Sequence, residues 1–96
     1  MINAEILLVE DDPALLAGML INLQTEGYAV TAAPRGQLAL TQCENRKFDL
    51  IILDLMLPDI DGLSIVRTLR RRGDTTPILI LSARSDTDVK VEGLQA

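Results

Sequence analysis

The chain has 96 residues, of which 48% are hydrophobic, and a formal net charge of −5, which fits one domain with an aliphatic core. The acidic balance argues against non-specific binding of nucleic acid by this segment, because phosphate backbones attract basic surfaces. The single cysteine excludes an internal disulfide, and the absence of histidine excludes histidine bases, histidine metal ligands and phosphohistidine within this segment. No apolar run approaches membrane-spanning length and Met1 is not followed by a signal-peptide pattern, so we expect a cytoplasmic chain without membrane contact.

The first half of the chain alternates apolar runs with helical patterns. Residues 5–9, EILLV, are typical of a buried strand, and Asp12 followed by Pro13 is typical of a helix start. Apolar residues then recur with helical spacing, and Gly27 is suited to end that helix. Residues 28–32, YAVTA, alternate as an edge strand does, and a less marked helical pattern follows over 36–47.

The second half repeats this alternation. Residues 48–53, FDLIIL, and 77–82, PILILS, are continuous apolar runs typical of strands covered on both faces. Residues 61–73 predict a third helix, and residues 86–96, DTDVKVEGLQA, predict the start of a fourth with weak periodicity. The order βαβαβαβα indicates an α/β fold with a parallel sheet, helices on both faces and right-handed crossovers.

Acidic residues follow two of these strands. Glu10 and Asp11 come directly after the first, and Asp54 ends the third. Ligands of such sheets bind beyond the carboxyl ends of the strands. If the two strands are neighbours, the carboxylates meet, and each pair within roughly 5 Å repels by about 3 kcal/mol at an effective dielectric near 20. Such a cluster should bind a proton or a divalent cation such as Mg²⁺, and a carboxylate can also be a nucleophile that forms an aspartyl-phosphate.

Three stretches resemble the receiver domain of two-component response regulators: ILLVEDDPALL, FDLIILDLMLPDIDGLSIVRTLR and TPILILSARSDTDVKVEGLQA. The resemblance spans nearly the whole chain. It implies a flavodoxin-like, doubly wound parallel sheet with strand order 2-1-3-4. By the resemblance, Asp54 is the phosphoacceptor, Asp11 a direct Mg²⁺ ligand and Glu10 an acid that acts through water. The backbone carbonyl of Met56 matches the remaining protein ligand.

The same resemblance implies further roles and partners. Ser82 matches the switch hydroxyl, and Ala83 matches the small residue beside it. The phosphoryl donor would be a phosphohistidine on a sensor histidine kinase, with Mg²⁺ or another divalent cation as cofactor. The chain would not be an enzyme, but a phosphoacceptor that assists its own phosphorylation and dephosphorylation. The segments LSARSD and GLQA are most similar to those of regulators with a winged-helix domain. DNA would therefore be contacted only through an output domain absent from this chain.

The chain departs from the family pattern at its C-terminus. The family has a fifth strand carrying a lysine and then a fifth helix, and this chain stops at Ala96 before either, so we expect residues 1–96 to be one truncated receiver domain. Lys47 should lie at the wrong end of the sheet, and Lys90 on the fourth helix is a poor substitute. We therefore expect an exposed edge on the fourth strand, impaired phosphorylation of Asp54, and a homo-oligomer, with exchange of elements between chains as one route.

Three other functions compete with a signalling receiver. An aspartate-nucleophile phosphatase usually needs a second acid two residues after the nucleophile, where this chain has Met56. A flavin- or nucleotide-binding module needs a glycine-rich phosphate loop, which is missing, and acids after the first strand would repel phosphate. The third is a receiver scaffold that has lost phosphorylation and serves self-association. Asp59 and Asp61 are interpreted as turn and helix-start residues rather than ligands.

Overall fold

The computed structural model describes residues 3–81 in full and residues 89–92 by their backbone. The strands are β1 (Glu5–Val9), β2 (Ala29–Ala33), β3 (Leu50–Asp54), β4 (Ile78–Leu81) and β5 (Val89–Glu92), and the helices are α1 (Pro13–Thr25), α2 (Gly36–Asn45) and α3 (Gly62–Arg71). They form one sheet in the order β2-β1-β3-β4-β5, in which the first four strands are parallel. The predicted flavodoxin-like order 2-1-3-4 is therefore confirmed. No described helix is long and apolar enough to span a membrane.

Both faces of the central strands are covered, which explains their continuous apolar sequences. Along β1, Leu7 and Val9 enter the core cluster that α2 and α3 cover, while Ile6 and Leu8 enter the cluster beneath α1. Side chains of successive strand residues point to opposite faces, so both alternating sets must be apolar. β1 and β3 thus bring their carboxyl ends, with the acids located there, to one edge of the sheet.

The predicted fourth helix is wrong over residues 89–92, which form β5 antiparallel to β4. The segment VKVE alternates with a period of two and contains two β-branched valines, and such a pattern favours a strand when an unpaired strand edge is available. The expected exposed edge on β4 is also wrong, because β4 pairs with β3 on one side and β5 on the other. Lys90 therefore lies on a strand, opposite Ile80, rather than on a helix.

The start of α1 follows the prediction. Asp12 Oδ1 accepts hydrogen bonds from the backbone N–H groups of Ala14 at 2.9 Å and Leu15 at 3.2 Å. These N–H groups have no partner within the helix, so the side chain satisfies donors that would otherwise turn to water.

We expect Asp12→Ala to lower the free energy of unfolding by about 1 kcal/mol, because the cap is lost, whereas Asp12→Asn should change it little, because asparagine caps equally well. Urea denaturation followed by circular dichroism measures both variants. Equal losses for alanine and asparagine would show that the charge, and not the hydrogen-bonded cap, carries the effect.

Candidate functional site

Glu10, Asp11 and Asp54 meet at the carboxyl edge of the sheet. β1 and β3 are adjacent and parallel, with Val9 aligned to Leu53, so the residues that follow these two lie side by side. Each of the three acids offers a carboxylate oxygen, and these oxygens all lie within 4.8 Å of one another. The predicted meeting of these acids is confirmed by this geometry.

Two of the three acids are removed from water. Glu10 is 2% exposed and Asp54 is 7% exposed, whereas Asp11 is exposed. Burial raises the pKa of Glu10 to about 7, and the nearby negative charges of Asp54 and Asp11 act in the same direction. A hydrogen bond that Glu10 Oε2 accepts from the Asp12 N–H at 3.1 Å opposes this rise. Near neutral pH, Glu10 is thus poised between its neutral and charged forms.

The other oxygen of Glu10 accepts no hydrogen bond from an N–H or hydroxyl group of the described residues. Glu10 Oε1 is buried, and no protein donor reaches it. A buried carboxylate oxygen without a partner is costly, and natural proteins leave few such atoms. Oxygen-rich clusters of carboxylates are the sites that Mg²⁺ and other hard divalent cations prefer. The donor set and the unpartnered oxygen therefore fit a divalent cation.

The loop after Asp54 is fixed to the acceptor carboxylate and to the start of α3. The Met56 N–H donates to Asp54 Oδ1 at 3.1 Å, and Met56 also forms an antiparallel bridge with Asp61. The Gly62 N–H donates to the Leu55 carbonyl at 3.1 Å. A Cβ at Gly62 would lie 2.7 Å from Leu55 Cα, so only glycine allows this approach. The backbone of Met56 is consequently held beside Asp54, and the Met56 side chain is 54% exposed.

The remaining predicted site residues stand apart from this cluster. Ser82 and Ala83 lie outside the described residues, and their switch roles stay predictions. Leu81, the residue before them, is aligned with Asp54 in the sheet. Lys47 lines an open cavity of about 420 Å³ between the C-terminal ends of α2 and α3. It follows α2 and precedes β3, which places it at the opposite end of the sheet from the acids, as predicted.

Asp59 has a contact that sequence reasoning missed. Its Oδ1 accepts from the Gly36 N–H at 2.9 Å and its Oδ2 from the Gln37 N–H at 3.0 Å, so Asp59 caps α2 from a distant loop. No local motif signals a partner 23 residues away in sequence. One available signal was that Arg35, at the N-cap position before α2, offers no side-chain acceptor and makes no side-chain cap. Asp61 does begin α3, with its Oδ1 accepting from the Leu63 N–H at 3.4 Å, as predicted.

Comparisons with known proteins agree with this geometry. The family model described as the response regulator receiver domain matches residues 6–96. The transcriptional regulatory protein BasR of Escherichia coli (strain K12) is 42% identical over 90 residues, which cover 94% of this chain and 40% of BasR. The receiver domain of the Francisella response regulator 1452 has a TM-score of 0.83 at 32% identity, over 88% of this chain and 70% of that one. TrrA from Thermotoga maritima, in complex with Mg(2+)-BeF, has a TM-score of 0.78 at 34% identity, over 88% of this chain and 76% of that one.

The chain therefore belongs to the response regulator receiver domain family, and it is the receiver domain of a two-component response regulator. Receivers of this kind partner with sensor histidine kinases and bind Mg²⁺ at an acidic cluster, which Glu10, Asp11 and Asp54 match here. The chain spans less than half of the length of the curated relatives that it matches.

Proposed function

We propose that Asp54 accepts a phosphoryl group from a phosphohistidine of a sensor histidine kinase. The observation that carries this proposal is the buried carboxylate of Asp54 at a sheet edge, with oxygens of Glu10 and Asp11 within 4.8 Å. A strand-end carboxylate without a function would be expected to be exposed to water and to have no other acids beside it. The cluster is instead suited to a charged group that arrives with a compensating cation.

The transfer is a displacement at phosphorus. An oxygen of the Asp54 carboxylate forms the new P–O bond as the P–N bond to the kinase imidazole breaks, and the departing ring nitrogen retains the electron pair and takes a proton from water. Met56 donates its N–H to Asp54 Oδ1, so it orients the carboxylate and leaves Oδ2 as the freer oxygen. No proton has to leave Asp54 when it is ionised, so no histidine base is needed.

We propose that Mg²⁺ is the resident cofactor, held by Asp11, Asp54 and the Met56 carbonyl, with Glu10 acting through water. When bound, Mg²⁺ would offset the negative charge that the phosphoryl oxygens bring to three carboxylates. The unpartnered Glu10 Oε1 supports this assignment, since a water molecule of a hydrated cation could donate to it. The complex of TrrA with Mg(2+)-BeF supports it by analogy.

We further propose that the chain acts as a phosphoacceptor in the cytoplasm and does not turn over a separate substrate. The exposed side chain two residues after Asp54 is the apolar Met56, where an aspartate-nucleophile phosphatase would need an acid. A reducing compartment suits the single, partly buried Cys43. The name of BasR, a transcriptional regulatory protein, supports control of transcription through an output domain that lies outside these residues.

Treatment with acetyl phosphate tests the proposal directly. Intact-mass spectrometry of the wild-type chain should show the addition of one phosphoryl group in Mg²⁺ and no addition after EDTA removes divalent ions. A chain that gains no mass in Mg²⁺ would contradict the proposal, and full labelling in EDTA would contradict the role of the cation.

A second candidate function, self-association, is favoured by the surface around α1 that the described residues leave uncovered. Of the described helices, only α1 packs on the Ile6 face of the sheet, and Leu79 and Leu81 on that face remain partly exposed. α1 contains no charged residue, and Ile21 on its outer side is 62% exposed. Apolar surface of this kind promotes contact between copies.

We expect the molar mass from light scattering to rise with protein concentration. Ile21→Lys should keep the chain monomeric at concentrations where the wild type associates, because it places a charge on the apolar surface. Gln24→Lys adds the same charge at an exposed polar position of α1 and serves as the control. A monomer mass for the wild type at every concentration would exclude this function.

A further inference from the structure

The loop that connects β3 to α3, residues 55–61, is tied to α2 at its tip. The tie consists of the two hydrogen bonds from the Gly36 and Gln37 N–H groups to the two oxygens of Asp59, at 2.9 and 3.0 Å. These donors hold the pKa of Asp59 below its ordinary value, Gln37 more than Gly36, so the carboxylate is ionised at neutral pH. α2 thus receives its N-terminal cap from the loop that follows the phosphoacceptor.

Close packing at Gly36 completes this joint. A Cβ built on Gly36 would lie 2.9 Å from Ile65 Cδ1 and 3.0 Å from Ile60 Cβ. These distances are shorter than ordinary contacts, so a side chain at residue 36 would require Ile65 and Ile60 to shift. The joint therefore depends on residues from α2, from the loop and from α3.

The base of the same loop holds the acceptor. Met56 and Asp61 bridge the two sides of the loop, and the Met56 N–H donates to Asp54 Oδ1 at 3.1 Å. The tip and the base are only a few residues apart, so a tip fixed to α2 restricts the positions that the Met56 peptide can adopt. Displacement of that peptide would release one oxygen of Asp54 and move the carbonyl assigned to the cation.

We propose that Asp59 is a positioning residue for phosphorylation, which acts on Asp54 through Met56. The inference rests on the proposed function of Asp54. Asp59 is not one of the three acids whose oxygens meet at the sheet edge. It fixes the loop, and the loop fixes the Met56 N–H that orients the acceptor carboxylate. Supporting groups of this kind influence affinity and rate through the geometry of the groups they hold.

A purely structural cap would have a different signature. It would add to the stability of α2 and leave the site unchanged in every molecule that is folded. Asp74, in the loop between α3 and β4, is a matched control that distinguishes the two roles. Its Oδ1 also accepts two hydrogen bonds, from the Thr76 N–H at 3.0 Å and from the Thr76 hydroxyl at 2.6 Å. Asp74 lines the cavity at the far end of the sheet, away from the acids.

The test compares Asp59→Ala, Asp59→Asn and Asp74→Ala with the wild type, at a temperature where circular dichroism shows each to be folded. Mg²⁺ affinity comes from calorimetric titration, and the rate constant of labelling by acetyl phosphate comes from intact-mass time courses. Asp59→Ala should weaken Mg²⁺ binding and slow labelling by about tenfold. Asp59→Asn retains one accepting oxygen and should recover part of the loss, while Asp74→Ala should match the wild type in both measurements.

Gly36→Ala strains the joint from the side of α2 and gives an independent check. It should reproduce the Asp59→Ala loss, and the double variant should be no worse than the more affected single variant, because both remove one joint. A wild-type chain that neither binds Mg²⁺ nor accepts a phosphoryl group would overturn the proposed function and this inference together. The positioning role alone would be overturned if the wild type binds Mg²⁺ and accepts a phosphoryl group while Asp59→Ala has the same Mg²⁺ affinity and labelling rate as Asp74→Ala.

Discussion

Replacement of Asp54 by asparagine is expected to abolish labelling by acetyl phosphate. The amide retains the size of the side chain and an oxygen that can accept from the Met56 N–H, so the loop should keep its place. The nucleophilic carboxylate is gone, and the amide cannot attack phosphorus to form an aspartyl-phosphate. Intact-mass spectrometry after incubation with the phosphodonor and Mg²⁺ should show the unmodified mass only.

The control for Asp54→Asn is Asp49→Asn, at the residue just before the N-terminal end of β3. Asp49 Oδ2 accepts from the Glu5 N–H at 2.7 Å, so this substitution also changes a hydrogen-bonded aspartate without approaching the acids. It should be labelled as fully as the wild type. An Asp54→Asn variant that shows the wild-type mass shift would remove Asp54 from its role, and loss of labelling in Asp49→Asn would show that the assay reports folding instead of acceptance.

The meeting of the acids was predictable because strand order and strand polarity fix it. Four apolar runs separated by helical patterns predict parallel strands, and parallel strands deliver the residues after their ends to one edge. Periodicity alone does not tell which strands are neighbours. The adjacency of β1 and β3 came from the resemblance, through the stretch around Asp54, and the structure places Val9 beside Leu53 as that order requires.

Features that depend on tertiary contacts were beyond sequence patterns. Within α3, Leu63 is 40% exposed and Ile65 is 1% exposed, and the apolar character of the two side chains does not distinguish them. Asp59 illustrates the same point, since a capping bond between segments far apart in sequence leaves no periodic trace. Residues 89–92 show that a weak helical pattern loses to strand pairing when an edge offers backbone partners.

The metal-free protein should gain stability when Glu10 is replaced by glutamine. Glu10 has its pKa raised to about 7 in the folded chain, from 4.5 in the unfolded one, so between these values the folded state binds more protons than the unfolded state. The free energy of unfolding of the wild type therefore falls as pH rises from 4.5 to 7. Above pH 7 the destabilisation is fully present, at about 3 kcal/mol, and below pH 4.5 it is absent. Glutamine cannot ionise, so it removes this contribution.

Urea unfolding in EDTA at pH 5 and pH 8 measures the effect. We expect Glu10→Gln to exceed the wild type in stability at pH 8 and to approach it at pH 5, whereas the exposed control Glu26→Gln should follow the wild type at both values. Added Mg²⁺ should stabilise the wild type more than Glu10→Gln, because the variant should bind Mg²⁺ more weakly and stabilisation by a ligand of the folded state rises with the logarithm of its affinity. A Glu10→Gln variant that is less stable than the wild type at pH 8 without metal would mean that the Glu10 carboxylate is satisfied in the folded chain. The unpartnered oxygen would then have a donor, and the case for a cation at these acids would lose its main structural support.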